Sequence, residues 1–137
     1  MRRILLAYDG STGADRALGF ALDLARKYAA ELHVLAVARP PEFGDDVETR
    51  AVIENARWHY DRVLGPVKAR LAGETIKTTF HVAVGHPAEQ IVRYAEEHAI
   101  DHVVVGHRGH TLFERWLIGS VARQVIAHAH CAVTVQR

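Results

Sequence analysis

Short apolar runs alternate with amphipathic helical stretches along the whole chain, and this alternation restricts the fold more than any other feature. Ile4 to Tyr8 is an almost continuous apolar run, the pattern of a strand covered on both faces. A helix is expected from about Thr12, where Thr12 and Asp15 have the spacing of a capping box. Its apolar positions Ala14, Ala17, Leu18, Ala21, Ala25 and Tyr28 share one stripe. Leu32 to Val37 reads as the second strand. A helical stretch follows from about Val47 to Leu71, in which Pro66, weakened further by Gly65, predicts a kink or a division into two helices. Ile76 to Val84 alternates apolar and polar residues, as a strand with one more polar face does. Pro87 starts the next helix, with Ala88, Ile91, Val92, Ala95 and Ala99 inward. His102 to Val105 makes a fourth strand, Ser120 opens a helix to about Ala129, and Ala132 to Val135 forms a fifth strand.

The order βαβαβαβαβ predicts an α/β fold: an open five-stranded parallel sheet with helices on both faces, joined by right-handed crossovers. In such sheets ligands bind beyond the carboxyl ends of the strands, where the strand order reverses. Asp9 lies just past the first strand and Gly106 just past the fourth. If those strands are neighbours, an acidic group and a glycine loop meet in one crevice.

Length and charge set the context. The 137 residues suit one domain, spanning 1–137, with a real core. The 17 basic and 16 acidic residues are scattered, leaving a formal charge of +1, so neither nucleic acid nor a charged membrane surface is an expected partner. The apolar run after Arg2 and Arg3 ends at Asp9, too soon for a signal peptide or a membrane span. Cys131 is the sole cysteine, which excludes an internal disulfide and fits a reducing cytoplasm.

The segment Gly106 to Val121, GHRGHTLFERWLIGSV, carries the clearest chemical signal. Gly106 and Gly109 lack a Cβ, so their backbone can take φ > 0 and approach an anion closely. Gly119 and Ser120 then present a helix start, whose first N–H groups have no intrahelical partner and whose dipole favours negative charge. The bland alternative is an ordinary glycine turn with Ser120 as an N-cap. Asp9 has the same ambiguity, since aspartate readily caps the turn into a following helix.

The motifs together resemble a universal stress protein. The likeness runs from ILLAYDGST through ELHVLAV and GHPAEQIVRYAEEHAIDHVVVG to the C-terminal GHRGHTLFERWLIGSVARQVIAHAHCAVTVQR, and is loose only from about Pro40 to Phe80. Gly106, Gly109, Gly119 and Ser120 satisfy every fixed position of the family's ATP-binding signature, G-x2-G-x9-G-S/T. The resemblance implies a Rossmann-like sheet of order 3-2-1-4-5 and an ATP ligand, with Mg2+ as a possible companion. It implies that Asp9 meets the ribose or the adenine edge, that Val37 lines the adenine pocket, and that Val105 and Val121 flank the phosphate loops. Arg108 could reach a phosphate or remain solvated. The resemblance also implies a homodimer through the fifth strand, Ala132, Val133, Thr134 and Val135. An unpaired sheet edge gives an independent reason for that dimer, the alternative being a monomer protected by Gln136 and Arg137.

Catalysis is less strongly marked than binding. There is no G-x4-GK[ST] motif, so the phosphate-directed lysine of a P-loop is missing, and no second carboxylate joins Asp9. Little or no hydrolysis is expected, and the nucleotide would act as a ligand that biases conformation or partner choice. His107 and His110 could act on a proton but have no pairing partner visible in the sequence, and neither they nor His128 and His130 come with Cys or acidic ligands at zinc spacing. The rival reading is a nucleotide-free dimeric interaction module of the same fold. A receiver-type signalling domain would need a phosphoacceptor aspartate after the third strand, where Val84, Gly85 and His86 stand.

Overall fold

The computed structural model describes residues 1–39, 46–107 and 118–137. Among these residues nine elements alternate: β1 (Arg3–Ala7), α1 (Thr12–Tyr28), β2 (Glu31–Ala38), α2 (Asp46–Leu71), β3 (Thr78–Val84), α3 (Pro87–Glu97), β4 (His102–Gly106), α4 (Ser120–His128) and β5 (Ala132–Gln136). The five strands form one sheet in the order β3-β2-β1-β4-β5, every neighbouring pair parallel. The order reverses between β1 and β4, so the ends of β1 and β4 lie side by side, as anticipated.

The period-2 geometry of the strands divides their side chains between two cores. Ile4, Leu6, Leu32, Val34 and Val104 meet α1 and α2 on one face; Leu5, Leu35, Val103 and Val105 meet α3 and α4 on the other. Ile4, Leu5 and Leu6 are all fully buried, which accounts for the unbroken apolar run in β1.

Several local features differ from the sequence expectations. Ser11, not Thr12, caps α1: its Oγ accepts a hydrogen bond from the Ala14 N–H at 3.1 Å, and Thr12 is the first helical residue. Asp15 instead accepts a 2.6 Å hydrogen bond from the Tyr8 hydroxyl. Tyr28 is 49% exposed at the end of α1, and Leu22 takes the inward position missed in the stripe. In α3 the inward residues are Ala88, Ile91, Tyr94 and Ala95, whereas Ala99 is exposed beyond the helix in the left-handed region, at φ 49°.

Pro66 does not divide α2, which is one helix of 26 residues. Leu64, Val67 and Leu71 are each at most 3% exposed in the α1/α2 core, and these anchors straddle the proline. An interior proline costs about 3 kcal/mol or more, and burial on both sides of it offsets that cost.

A polar cluster lies under α3. His33 on β2 is buried, with Nδ1 2.7 Å from the Tyr94 hydroxyl and Nε2 3.2 Å from a Glu31 carboxylate oxygen. These partners select the neutral tautomer in which Nε2–H donates to Glu31 and Nδ1 accepts from Tyr94. Burial pushes the His33 imidazole below its ordinary pKa, against the opposing pull of Glu31. The His98 ring stacks on Tyr94 at 3.8 Å between centroids.

Candidate functional site at the carboxyl ends of the strands

A cavity of about 420 Å³ opens where the strand order reverses, within the range usual for small-molecule sites. Seven of the nine residues singled out in the sequence line it together: Asp9, Val37, Val105, Gly106, Gly119, Ser120 and Val121. Arg108 and Gly109 lie outside the described residues, as do His110 and the residues up to 117.

The floor is set by the turn from β1 into α1. The Asp9 carboxylate accepts a hydrogen bond from the Ser11 N–H at 3.0 Å, so this residue does cap its own turn while also lining the cavity. Gly10 has φ +82°, a conformation that favours glycine, and an added Cβ would stand 3.2 Å from Val63 on α2. Tyr8 is buried beside Asp9; burial first, and then its bond to Asp15, push its phenol up to about 12. It is therefore a neutral hydrogen-bond donor across the physiological range.

The two glycines of the signature that are described work differently from one another. Gly106 does not take positive φ; among the described glycines only Gly10 and Gly85 do. It is needed for close approach, because a Cβ there would lie 2.6 Å from the Gly13 carbonyl oxygen. Gly13 is fitted in the same way against the His107 carbonyl oxygen, 2.7 Å from its own would-be Cβ. The start of α1 thus passes the end of β4 backbone to backbone. Gly119, by contrast, has φ −58° and ψ 154°, which any residue adopts, and a Cβ there would meet nothing within 4 Å. Neither backbone conformation nor packing among the described residues demands glycine at 119. Gly119 is also the N-cap of α4, without a side-chain cap, and Ser120 is the first helical residue. Helical geometry leaves the first N–H groups of α4 without intrahelical partners, and Gly119, Ser120, Val121 and Ala122 all line the cavity.

The opposite end of the cavity is built from β2. The Glu31 N–H donates to the Arg2 carbonyl and the Tyr8 N–H to the Leu35 carbonyl, so odd-numbered residues of β2 turn their peptide groups toward β1. The Leu32 N–H donates to the Lys77 carbonyl and the Gly85 N–H to that of Ala38, so even-numbered ones turn toward β3. Pairing of β1 with β2 stops at Ala7 opposite Leu35. Val37 therefore directs its peptide groups past the end of β1, offering a backbone donor and acceptor at the crevice. Around it stand the apolar side chains of Leu35, Pro87 and Ile91.

Sequence reasoning missed Tyr8, Ser11, Arg39, Tyr60, Pro87 and Ile91 in the lining. Tyr8, Ser11 and Arg39 fall just past strand ends and were discoverable by that rule. Tyr60 carried no signal, because nothing in the sequence fixes which turn of α2 reaches the crevice. Asp9 is the one carboxylate and Arg39 the one permanent cation among the described lining residues. No group of three His, Cys, Asp or Glu side chains able to hold a metal occurs among the described residues. Nor is any described helix long and apolar enough to cross a membrane.

The sequence profile of the universal stress protein family matches residues 1–137. A universal stress protein of Methanocaldococcus jannaschii is 32% identical over 137 residues, covering 98% of this chain and 81% of that protein. Among solved structures, the universal stress protein UspA from Lactobacillus plantarum superposes with a TM-score of 0.86 at 25% identity, covering 99% of this chain and 97% of that one. A universal stress protein crystallised in complex with cAMP superposes with a TM-score of 0.64 at 26% identity, covering 99% and 96%. A parallel sheet of this order is the fold those structures share with this chain. The chain belongs to the universal stress protein family.

Proposed function

We propose that this chain is an ATP-binding universal stress protein, a cytoplasmic nucleotide-responsive signalling module with little or no hydrolytic activity. The observation that carries the reading is Gly119: a glycine that neither backbone conformation nor packing among the described residues demands, standing at the N-cap of a helix whose start faces a cavity of nucleotide size. A Cβ-free position of this kind lets a phosphate approach the N–H groups of α4. The adenine would lie at the other end, its edge on the peptide groups of Val37, with Asp9 beside the ribose. A related protein's complex with cAMP supports an adenine nucleotide as the ligand class. Since Asp9 is the one carboxylate in the described lining, accompanying Mg2+ would be held mainly by the phosphates themselves. The same shortage of acid–base groups favours binding over turnover.

The functional unit in this reading is a homodimer paired through β5. The Gln136 carbonyl accepts from the His107 N–H, so even-numbered residues of β5 face β4, and Val133 and Val135 turn their peptide groups to the outer edge. Nearby, Ile126 on α4 is 47% exposed. Both features suit a second copy of this chain.

The test is to denature freshly purified protein, identify released nucleotide by mass spectrometry, and compare thermal unfolding with and without Mg-ATP. A ligand at a hundredfold excess over its Kd adds about 2.7 kcal/mol of stability. ATP in the released material, or a shift of that size, is the expected result. An empty protein that ATP does not stabilise would leave a nucleotide-free dimeric interaction module as the better account.

A further inference from the structure

The cavity draws its walls from both faces of the sheet at its β2 end. Tyr60 on α2 is half-buried and packs against the α1/α2 core, while Ile91 on α3 belongs to the opposite core, yet both line the same cavity. The position of Tyr60 is fixed by its helix. Val63, one turn further along α2, approaches the Gly10 turn immediately after Asp9. Adjacent strands lie about 4.8 Å apart, so the ends of β2 and β4, separated by β1, stand roughly 10 Å from each other. Arg39 follows β2 directly and α2 packs over β2 and β3, so Tyr60 and Arg39 lie toward the end remote from Gly119 and the start of α4.

We propose that Tyr60 is a specificity-determining residue for the nucleobase: its ring stacks on one face of the base while Pro87 and Ile91 cover the other, so that the site selects purine over pyrimidine nucleotides. The inference rests on the nucleotide reading above and adds to it a side chain and a selectivity. A purine offers the larger aromatic surface to both walls, and stacking is a contact that every base makes in proportion to that surface. The tyrosine ring is already held by core packing, so little ordering is needed when a ligand arrives. Arg39 lines the same cavity with donors only, a complement to the acceptor nitrogens of a purine edge.

The experiment is calorimetric titration of Mg-ATP, Mg-CTP and inorganic tripolyphosphate into the unmodified protein, Tyr60→Ala and Tyr60→Phe, with the thermal midpoint of each variant measured to verify folding. The expected pattern is a clear preference for ATP over CTP in the unmodified protein, about a tenfold loss of ATP affinity in Tyr60→Ala with the preference narrowed, unchanged tripolyphosphate binding, and recovery in Tyr60→Phe. A folded Tyr60→Ala that binds ATP as tightly and as selectively as the unmodified protein would overturn this inference while leaving the nucleotide reading intact. Equal losses for all three ligands would overturn it too, by showing a structural role. Failure of the unmodified protein to bind either nucleotide would overturn both.

Discussion

Gly106 closes β4 and Gly119 caps α4, and the two are glycine for different reasons. Gly106 is there for the protein: its would-be Cβ meets the Gly13 carbonyl oxygen at 2.6 Å, and that oxygen is backbone that cannot swing aside. Gly106→Ala should therefore lower the thermal midpoint, by a free energy of roughly 1–3 kcal/mol as other overpacked sites do. Gly119→Ala should cost no more than the loss of a glycine N-cap, about 1 kcal/mol, since its Cβ meets none of the described residues, yet it should weaken ATP. Measuring both midpoints and both affinities separates the two roles. The sequence announced these glycines as a pair with one purpose. It could not divide them, because close backbone approach depends on which segment passes by, here Gly13 at the start of α1, far away along the chain.

Histidine 33 carries a prediction of the same kind. Burial lowers its pKa in the folded state below the ordinary 6.5. The unfolded chain consequently binds a proton that the native state resists, and stability falls as pH drops below about 6.5. His81 and His102 are shifted in the same direction, chiefly by burial, and add to the fall. Thermal midpoints recorded from pH 7.5 to 5 should decline through this window, less steeply in His33→Gln. A flat profile would mean that His33 is protonated in the native state. This cluster was not legible in the sequence, since Glu31, His33 and Tyr94 meet only once α3 has crossed over β2.

At the scale of elements, hydrophobic periodicity located all five strands and the four described helices, with ends displaced by a residue or two. The failures have a common cause: local rules were applied where tertiary contacts decide. The capping box at Thr12 lost to Ser11 because the Asp9 turn places Ser11, not Thr12, at the start of α1. Pro66 did not split α2 because Leu64, Val67 and Leu71 bury on both sides of it. Leu64→Ala should cost about 2–5 kcal/mol, as buried leucines do, and α2 should be the first element to lose amide protection in that variant. For the edge strand, Val133→Pro removes an outward N–H while the bonds from β5 to β4 use the even-numbered residues. Sedimentation should find this variant monomeric if β5 joins two copies, and unchanged in mass if the dimer is built elsewhere or absent.

For the whole molecule, the strand order is what converts scattered residues into a site. Asp9, Val37, Gly106 and Gly119 come from four separate loops and strand ends, and the order β3-β2-β1-β4-β5 gathers them at one crevice. The alternation of elements foretold a parallel sheet. The family resemblance supplied the order, and with it most of the lining. The remaining lining residues belong to α2 and α3, whose rotation and height over the sheet follow from packing. The most direct test of the central claim is calorimetric titration of Mg-ATP into the nucleotide-stripped protein and into Gly119→Val. The account predicts saturable binding to the first and at least tenfold weaker binding to the second, whose thermal midpoint falls only by the loss of a glycine N-cap. Equal affinities, or no binding by the unmodified protein, would contradict it.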